Sequence, residues 1–267
     1  MAGALIRAAH IEPTIAVTTL ASLLAVAGGL GAPRLLLVAA AVFAGQLVIG
    51  WSNDLLDAGR DAAVGRGDKP LATGEVSTRS VSTALGIAAI AAVGLSAGLG
   101  WRSALTHLVL MVGSGIAYNL RLKATPWSWL PYVVAFGSLP AVVSLAAAPP
   151  EAPKVWIVAA SAALGAAAHF LNTLPDLADD AATGIRGLPQ RIGGPRSQRV
   201  ASALLMAATV VIVLGPPGPA PATSWVALLL AAALAVGALT GHGETPFRCG
   251  LAIAVLNVLM LVLTAHA

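Results

Sequence analysis

Nine apolar runs, cut by prolines, glycines and short polar stretches, constrain this chain more than any other feature. They cover about 13–31, 35–56, 80–99, 102–119, 128–147, 154–174, 199–214, 223–240 and 247–265. Each is close to the ~20 residues that an α-helix needs to cross a bilayer. The breakers fall between them: Gly31-Ala-Pro33 after the first, Pro149-Pro150 and Pro153 after the fifth, Gly215-Pro-Pro-Gly-Pro219 after the seventh. Glu12-Pro13 opens the first run, with proline early in the helix where its missing N–H does no harm. The chain is 58% hydrophobic and only 10% charged, with a mean hydropathy of +0.87. That excludes an ordinary soluble domain. The alternating strands of an outer-membrane barrel are absent from the pattern. Arg7 followed by an apolar stretch superficially resembles a signal peptide, but further spans follow at once, so it reads as a first span. The expectation is an all-α, nine-transmembrane-helix bundle forming a single integral-membrane domain over residues 1–267.

Charge orients that bundle. With nine spans, one side holds Arg7, Arg60, Arg66, Lys69, Arg79, Arg121, Lys123, Arg186, Arg191, Arg196, Arg199 and Arg248; the other holds Arg34, Arg102 and Lys154. Twelve bases against three, of 15 in all, places the first side and the N-terminus in the cytoplasm of a multi-pass cell-membrane protein. The sequence pI of 9.8 does not point to nucleic acid, because the bases punctuate apolar segments and form no continuous basic run. One cysteine, Cys249, excludes an internal disulfide.

The acids are the informative exception to this poverty of charge. Asp54, Asp57 and Asp61 close the second run at i, i+3 and i+7. At ~100° per residue they share one helix face within about 60°. Like charges there cost helix stability unless a cation sits among them, and Mg²⁺, with its preference for oxygen ligands, is the natural one. A second set closes the sixth run: Asp176 and Asp180 at i, i+4, with Asn172 and His169 extending the face backwards and Asp179 nearby. Four spans apart, the sets face the same compartment. Two acidic helix ends on one side can hold Mg²⁺ and, through it, a diphosphate whose outer oxygens meet Arg60, Arg66, Lys69, Arg121, Lys123, Arg186 and Arg191. An isoprenoid diphosphate has the matching shape: a polar head at the interface and an apolar tail in the bundle.

The same residues carry a resemblance. Asn53-Asp54-x-x-Asp57-x-x-x-Asp61 resembles the NDxxDxxxD motif of the UbiA family of membrane prenyltransferases. Arg66-Gly-Asp-Lys69-Pro70-Leu71-x-x-Gly74 is similar to the family's basic-Pro-Leu-x-x-Gly segment, and Tyr118-Asn-Leu-Arg121-Leu-Lys123 to its Tyr-plus-basic segment. Asp176-x-x-x-Asp180 resembles the second acidic motif, and Arg186-Gly-Leu-Pro-Gln-Arg191-Ile-Gly193 the continuation seen in the menaquinone-type branch. The matches fall in order over roughly three quarters of the chain. The resemblance implies a Mg²⁺-dependent enzyme of the class that transfers alkyl groups other than methyl. It would ionise an allylic isoprenoid diphosphate and pass the prenyl group to an acceptor, a small aromatic or quinone precursor. The five Asp residues would be the metal ligands. Asn53 and Asn172 would orient the metal shell or the diphosphate.

One position departs from the pattern. Menaquinone-type members carry Arg before the first Asp of the second motif, where this chain has Pro175, which is expected to kink the helix. With two Tyr and four Phe the chain is also poor in aromatics. A UbiA-type terpene cyclase, which needs the diphosphate site but no acceptor, is therefore the alternative. An ion or small-anion transporter would place its acids near the bilayer midplane, not at one interface. Of the remaining residues, Gln46 lies two turns above Asp54 as a candidate pocket wall, and His169 is a candidate base. Tyr118 offers a π-face to positive charge, and Asn119 can orient the head group. His107 and Asn257 read as packing residues.

Overall fold

The computed structural model describes residues 2–182, 184–242 and 244–265; it does not describe the side chains of Ala2, Ala178, Asp179 and Ala181. Among the described residues every regular element is helical. Seven helices are at least 18 residues long and apolar enough to cross a membrane. The first and fifth expected spans are shorter apolar helices, Ile11–Ala27 and Leu130–Leu145, of 17 and 16 residues. All nine expected apolar segments are thus helical, and the chain is a multi-pass membrane protein. It divides into two compact units, Met1–Arg121 with Val142–Glu151, and Leu122–Ala141 with Ala152–Ala267.

In the first unit a short helix α1 (Ala2–Ala8) precedes α2 (Ile11–Ala27). The 32-residue α3 (Ala32–Ala63) starts with proline in its first turn, fitting the rule that proline is tolerated where N–H groups have no partner. It packs against α2 and α4 (Thr78–Ala97), the latter begun by Ser77, whose hydroxyl accepts from the Ser80 N–H. The fourth span is interrupted. Its ends, α5 (Trp101–Leu105) and α6 (Gly113–Leu120), flank a π-helical segment over Thr106–Val112. Ala44, Val48, Ala88, Ala92 and Val112 form a core between these helices. Small residues let the backbones approach. A Cβ on Gly45 would lie 2.7 Å from His107 Nε2, so this glycine is what admits the buried imidazole, whose Nδ1 is 2.8 Å from Ser96 Oγ on α4. His107 is a packing residue, as its sequence context indicated.

The second unit takes α7 (Leu130–Leu145) as far as Ala141, then α8 (Val155–Thr173), α9 (Leu177–Ala182), α10 (Leu188–Ile192), α11 (Gly194–Leu214), α12 (Ala222–Thr240) and α13 (Thr245–Thr264). Helix α11 packs on α8, α12 and α13. Asn257 staples α13 to α11, its amide donating to the Leu205 carbonyl and its Oδ1 accepting from Thr209. The expected kink at Pro175 is a stop instead. Helix α8 ends at Thr173, and α9 begins at Leu177 after a turn in which the Leu174 N–H donates to the Leu171 carbonyl. Proline has no N–H to continue the ladder. His169 and Asn172 therefore do not continue one helix face into Asp176 and Asp180.

Candidate active site

Helix α3 does not fray where the apolar run ends. It continues to Ala63 and carries Asp54, Asp57 and Asp61 on its inward face, with exposures of 1%, 7% and 7%. Three carboxylates this deep require compensation. Lys69 Nζ donates to Asp54 Oδ1 at 2.9 Å, and Arg60 pairs with Asp57 at 2.8 Å one turn on. Asp54 Oδ2 is buried without a hydrogen-bond partner among the described residues. The loop that delivers Lys69 is pinned at its far end, where Val76 is buried with Ala4 and Val81, and Leu71 packs against them. Two glycines with positive φ, Gly65 at 72° and Gly74 at 76°, make its turns.

A histidine that sequence reasoning passed over belongs to this cluster. His10, between α1 and α2, places Nε2 2.9 Å from Asp54 Oδ1, 3.1 Å from Lys69 Nζ and 3.4 Å from Asn53 Nδ2. Nothing local signals it, because the contact spans 44 residues of sequence. The Lys69 loop also carries an ion pair of its own. Arg66 grips Asp68 through Nε and a terminal nitrogen at 2.9 and 2.8 Å, which holds the Asp68 carboxyl down at about 2. Asn119 is also occupied: its amide donates to the Ile49 carbonyl and to Ser52 Oγ, both at 2.9 Å, tying α6 to α3. Both of its amide donors are thereby used in packing. Gln46 and Tyr118 are half-buried on α3 and α6, and Arg121 is exposed at the end of this unit.

In the second unit Asp176 sits in the turn before α9 and Asp180 within it. Gln190 Nε2 on α10 donates to Asp180 Oδ2 at 2.7 Å. Asp179 lies outside the described side chains. Arg191 Nε donates to the Arg186 carbonyl at 2.7 Å, folding the basic turn back on itself, and both arginines are exposed. Asn172 is exposed and Lys123 half-buried. His169 is 1% exposed, 3.0 Å from Ser128 Oγ, with Tyr132 and Phe170 rings centred 5.0 and 5.6 Å away. Ser128 Oγ in turn accepts from the Leu188 N–H, so this histidine braces the start of α10.

Among the described residues, no three His, Cys, Asp or Glu side chains converge to form a complete cage for a metal ion. The donor set on α3 nevertheless fits Mg²⁺, which binds through one or two carboxylates and fills its shell with water and phosphate oxygens. Buried carboxylates, an unpartnered Asp54 oxygen and a lysine on the other oxygen of the same group supply those features.

A multi-pass helical protein with a buried acid cluster extending one of its spans defines the class, and comparison gives the family. Residues 15–245 match the UbiA prenyltransferase family, and the chain belongs to it. A digeranylgeranylglyceryl phosphate synthase from Methanopyrus kandleri is 31% identical over 183 residues, which are 66% of this chain. The match spans 64% of that relative's length. Solved structures share the fold. A UbiA homologue from Aeropyrum pernix K1 has a TM-score of 0.71 at 22% identity, with 95% of this chain and 98% of that one covered. A UbiA homologue from Archaeoglobus fulgidus bound to GPP and Mg²⁺ has a TM-score of 0.71 at 16% identity, covering 99% and 100%.

Proposed function

We propose that this protein ionises an allylic isoprenoid diphosphate in the presence of Mg²⁺ and transfers the prenyl group to an acceptor. The observation that carries the reading is the buried set Asp54, Asp57 and Asp61, with Asp54 Oδ2 unpartnered beside Lys69. Asp176 and Asp180 are proposed as metal ligands of the second acidic motif. Mg²⁺, when bound, neutralises charge on the diphosphate oxygens. Lys69 is half-buried and aimed at the same cluster, so its ammonium, while it pairs with Asp54, also stands where a diphosphate oxygen would meet it. Arg121, Lys123, Arg186 and Arg191 are the further bases proposed for the head group, and Asn53 and Asn172 orient it. In the reaction the C1–O bond breaks with its electron pair leaving on the diphosphate. The acceptor then bonds to C1 and gives up a proton. The N-terminus and the site loops are proposed to be cytoplasmic, on the twelve-to-three distribution of bases.

For the acceptor, the relative from Methanopyrus kandleri supports a hydroxyl of a glyceryl phosphate lipid over the aromatic ring expected from the menaquinone-type continuation. Pro175 agrees with this, since it stands where that branch carries a cation. The test incubates purified protein with Mg²⁺ and C10, C15 or C20 allylic diphosphates, with a prenylglyceryl phosphate, a hydroxylated aromatic acid or no acceptor, and reads products by mass spectrometry. Prenylation of the glyceryl phosphate is expected. Asp57→Ala should lower diphosphate release by orders of magnitude, because metal neutralisation of the leaving group is worth roughly several kcal/mol. Cyclised hydrocarbon or alcohol without acceptor would favour the cyclase instead, and full turnover in EDTA would exclude the metal.

A further inference from the structure

We infer that His10 is a positioning residue for the first acidic cluster: with Lys69 it holds Oδ1 of Asp54, so that the buried Oδ2 is the oxygen offered to a divalent cation. This rests on the reading of Asp54 as a metal ligand given above.

The backbone at His10 is set from several sides. Its φ of 51° and ψ of 60° make it the one non-glycine with positive φ among the described residues. Such a conformation is strained for a residue with a Cβ and persists only where the surroundings over-determine it, typically at functional sites. The surroundings do so here. A Cβ on Gly50 of α3 would lie 2.1 Å from the Ala9 carbonyl oxygen, so the chain before His10 is pressed directly onto α3. Trp51 Nε1 donates to the Leu5 carbonyl at 3.0 Å, Arg7 pairs with Glu75, and Ala4 is buried with Val76 and Val81. Helix α1 is therefore docked on α3 and on the loop that carries Lys69, with His10 at the point where the docked segment turns into α2.

Hydrogen-bond accounting fixes what the ring does. Nε2 can present a proton or a lone pair, not both. Two donors, Lys69 Nζ at 3.1 Å and Asn53 Nδ2 at 3.4 Å, also lie near Nε2, but its shortest contact is the Asp54 carboxylate oxygen at 2.9 Å, which a lone pair would face acceptor against acceptor. An N–H satisfies that oxygen, and Lys69 reaches the same Oδ1 independently at 2.9 Å. Oδ1 then accepts from two donors while Oδ2, equally buried, has none among the described residues. A carboxylate gripped by one oxygen cannot rotate, which is what outer-shell partners do for a metal ligand. The N-terminal segment, outside every motif of the sequence, becomes part of the metal site.

The test uses the full chain, purified in detergent, with Mn²⁺ alone as the probe, read by electron paramagnetic resonance beside thermal melting. His10→Gly keeps the left-handed backbone and removes the ring. It should weaken Mn²⁺ binding roughly 10-fold, the low end for loss of an outer-shell partner. Its melting temperature should stay within a few degrees of wild type, because glycine's ease in that conformation offsets much of the lost hydrogen bond to Asp54. His10→Gln supplies an uncharged N–H of similar reach and should recover most of the affinity. His10→Asn, accepted in the same backbone region but shorter, should lose it as glycine does. Wild-type Mn²⁺ affinity in both His10→Gly and His10→Asn would overturn the proposal while leaving the acidic site intact. Wild-type affinity in Asp54→Asn would remove the metal-ligand reading beneath it, a separately visible failure.

Discussion

Removing Lys69 should strand the most deeply buried carboxylate of the first unit. Asp54 is 1% exposed, and its two polar contacts on Oδ1 are Lys69 Nζ and His10 Nε2, each at 2.9 Å. Deleting one partner of a buried ion pair costs about 3–5 kcal/mol, because the remaining charge loses its compensation. The Lys69 side chain is 16% exposed and His10 stays in place, so the low end applies to Lys69→Met, about 3 kcal/mol. In a chain of this size each kcal/mol moves the melting temperature by roughly 2–4 °C. The drop should therefore be about 6–12 °C on the same scaling. Adding Asp54→Asn removes the stranded charge, and the double variant should regain most of the loss, short of about 1 kcal/mol for the missing hydrogen bonds. Prenyl transfer should not return with stability, since the double variant still lacks a proposed metal ligand. The assay is thermal melting of the four proteins of the cycle in one detergent, with diphosphate release alongside. A Lys69→Met protein melting within about 2 °C of wild type, or a double variant no more stable than the single, would refute the argument that Lys69 compensates Asp54.

Two further outcomes follow from other parts of the molecule. Gly45→Ala should destabilise by about 1–3 kcal/mol, as overpacking does, because its Cβ meets His107 Nε2 at 2.7 Å; His107→Ala in the same chain should recover part of that loss in the melt, and no recovery would mean the clash lies elsewhere. Reporter fusions after Thr73 and after Ala222 should report opposite faces of the membrane, with Thr73 cytoplasmic; the same face for both would sink the nine-span topology.

The spans were legible because lipid leaves a chain few options: apolar runs of the right length must be helical, and their breaks fall at proline and glycine. The acid face of α3 was legible for the same local reason. Spacing of three and seven residues fixes direction on a helix, provided the helix continues, and it runs to Ala63. What local pattern does not contain was missed. The π-helical segment over Thr106–Val112 adds one residue to a turn without altering the apolar content of the span. His10 reaches Asp54 only because Gly50 allows Ala9 onto α3, a fact about two helices and not about either sequence. Arg66 reads as a loop cation by type and place, and the sequence does not show that Asp68, two residues on, bonds its Nε and one terminal nitrogen.

The second acidic motif shows how far a single residue can move such a reading. Counted along the sequence, His169, Asn172, Asp176 and Asp180 fall on one helix face, and on that count the histidine is a base beside the metal ligands. The count assumes an unbroken helix. Pro175 ends α8 at Thr173 and restarts the chain as α9 at Leu177, so the phase between residue 173 and residue 177 is set by a turn and no longer by 100° per residue. His169 is packed near Ser128 and among Tyr132 and Phe170. Asp176 and Asp180 are carried instead by a short helix held through Gln190 to α10. The two acidic motifs are thus built differently: one is the rigid extension of a 32-residue helix, the other a six-residue helix tethered by side chains. The long helix fixes its three acids relative to one another through its own backbone ladder, whereas Asp176 and Asp180 take their places from a turn and a short helix.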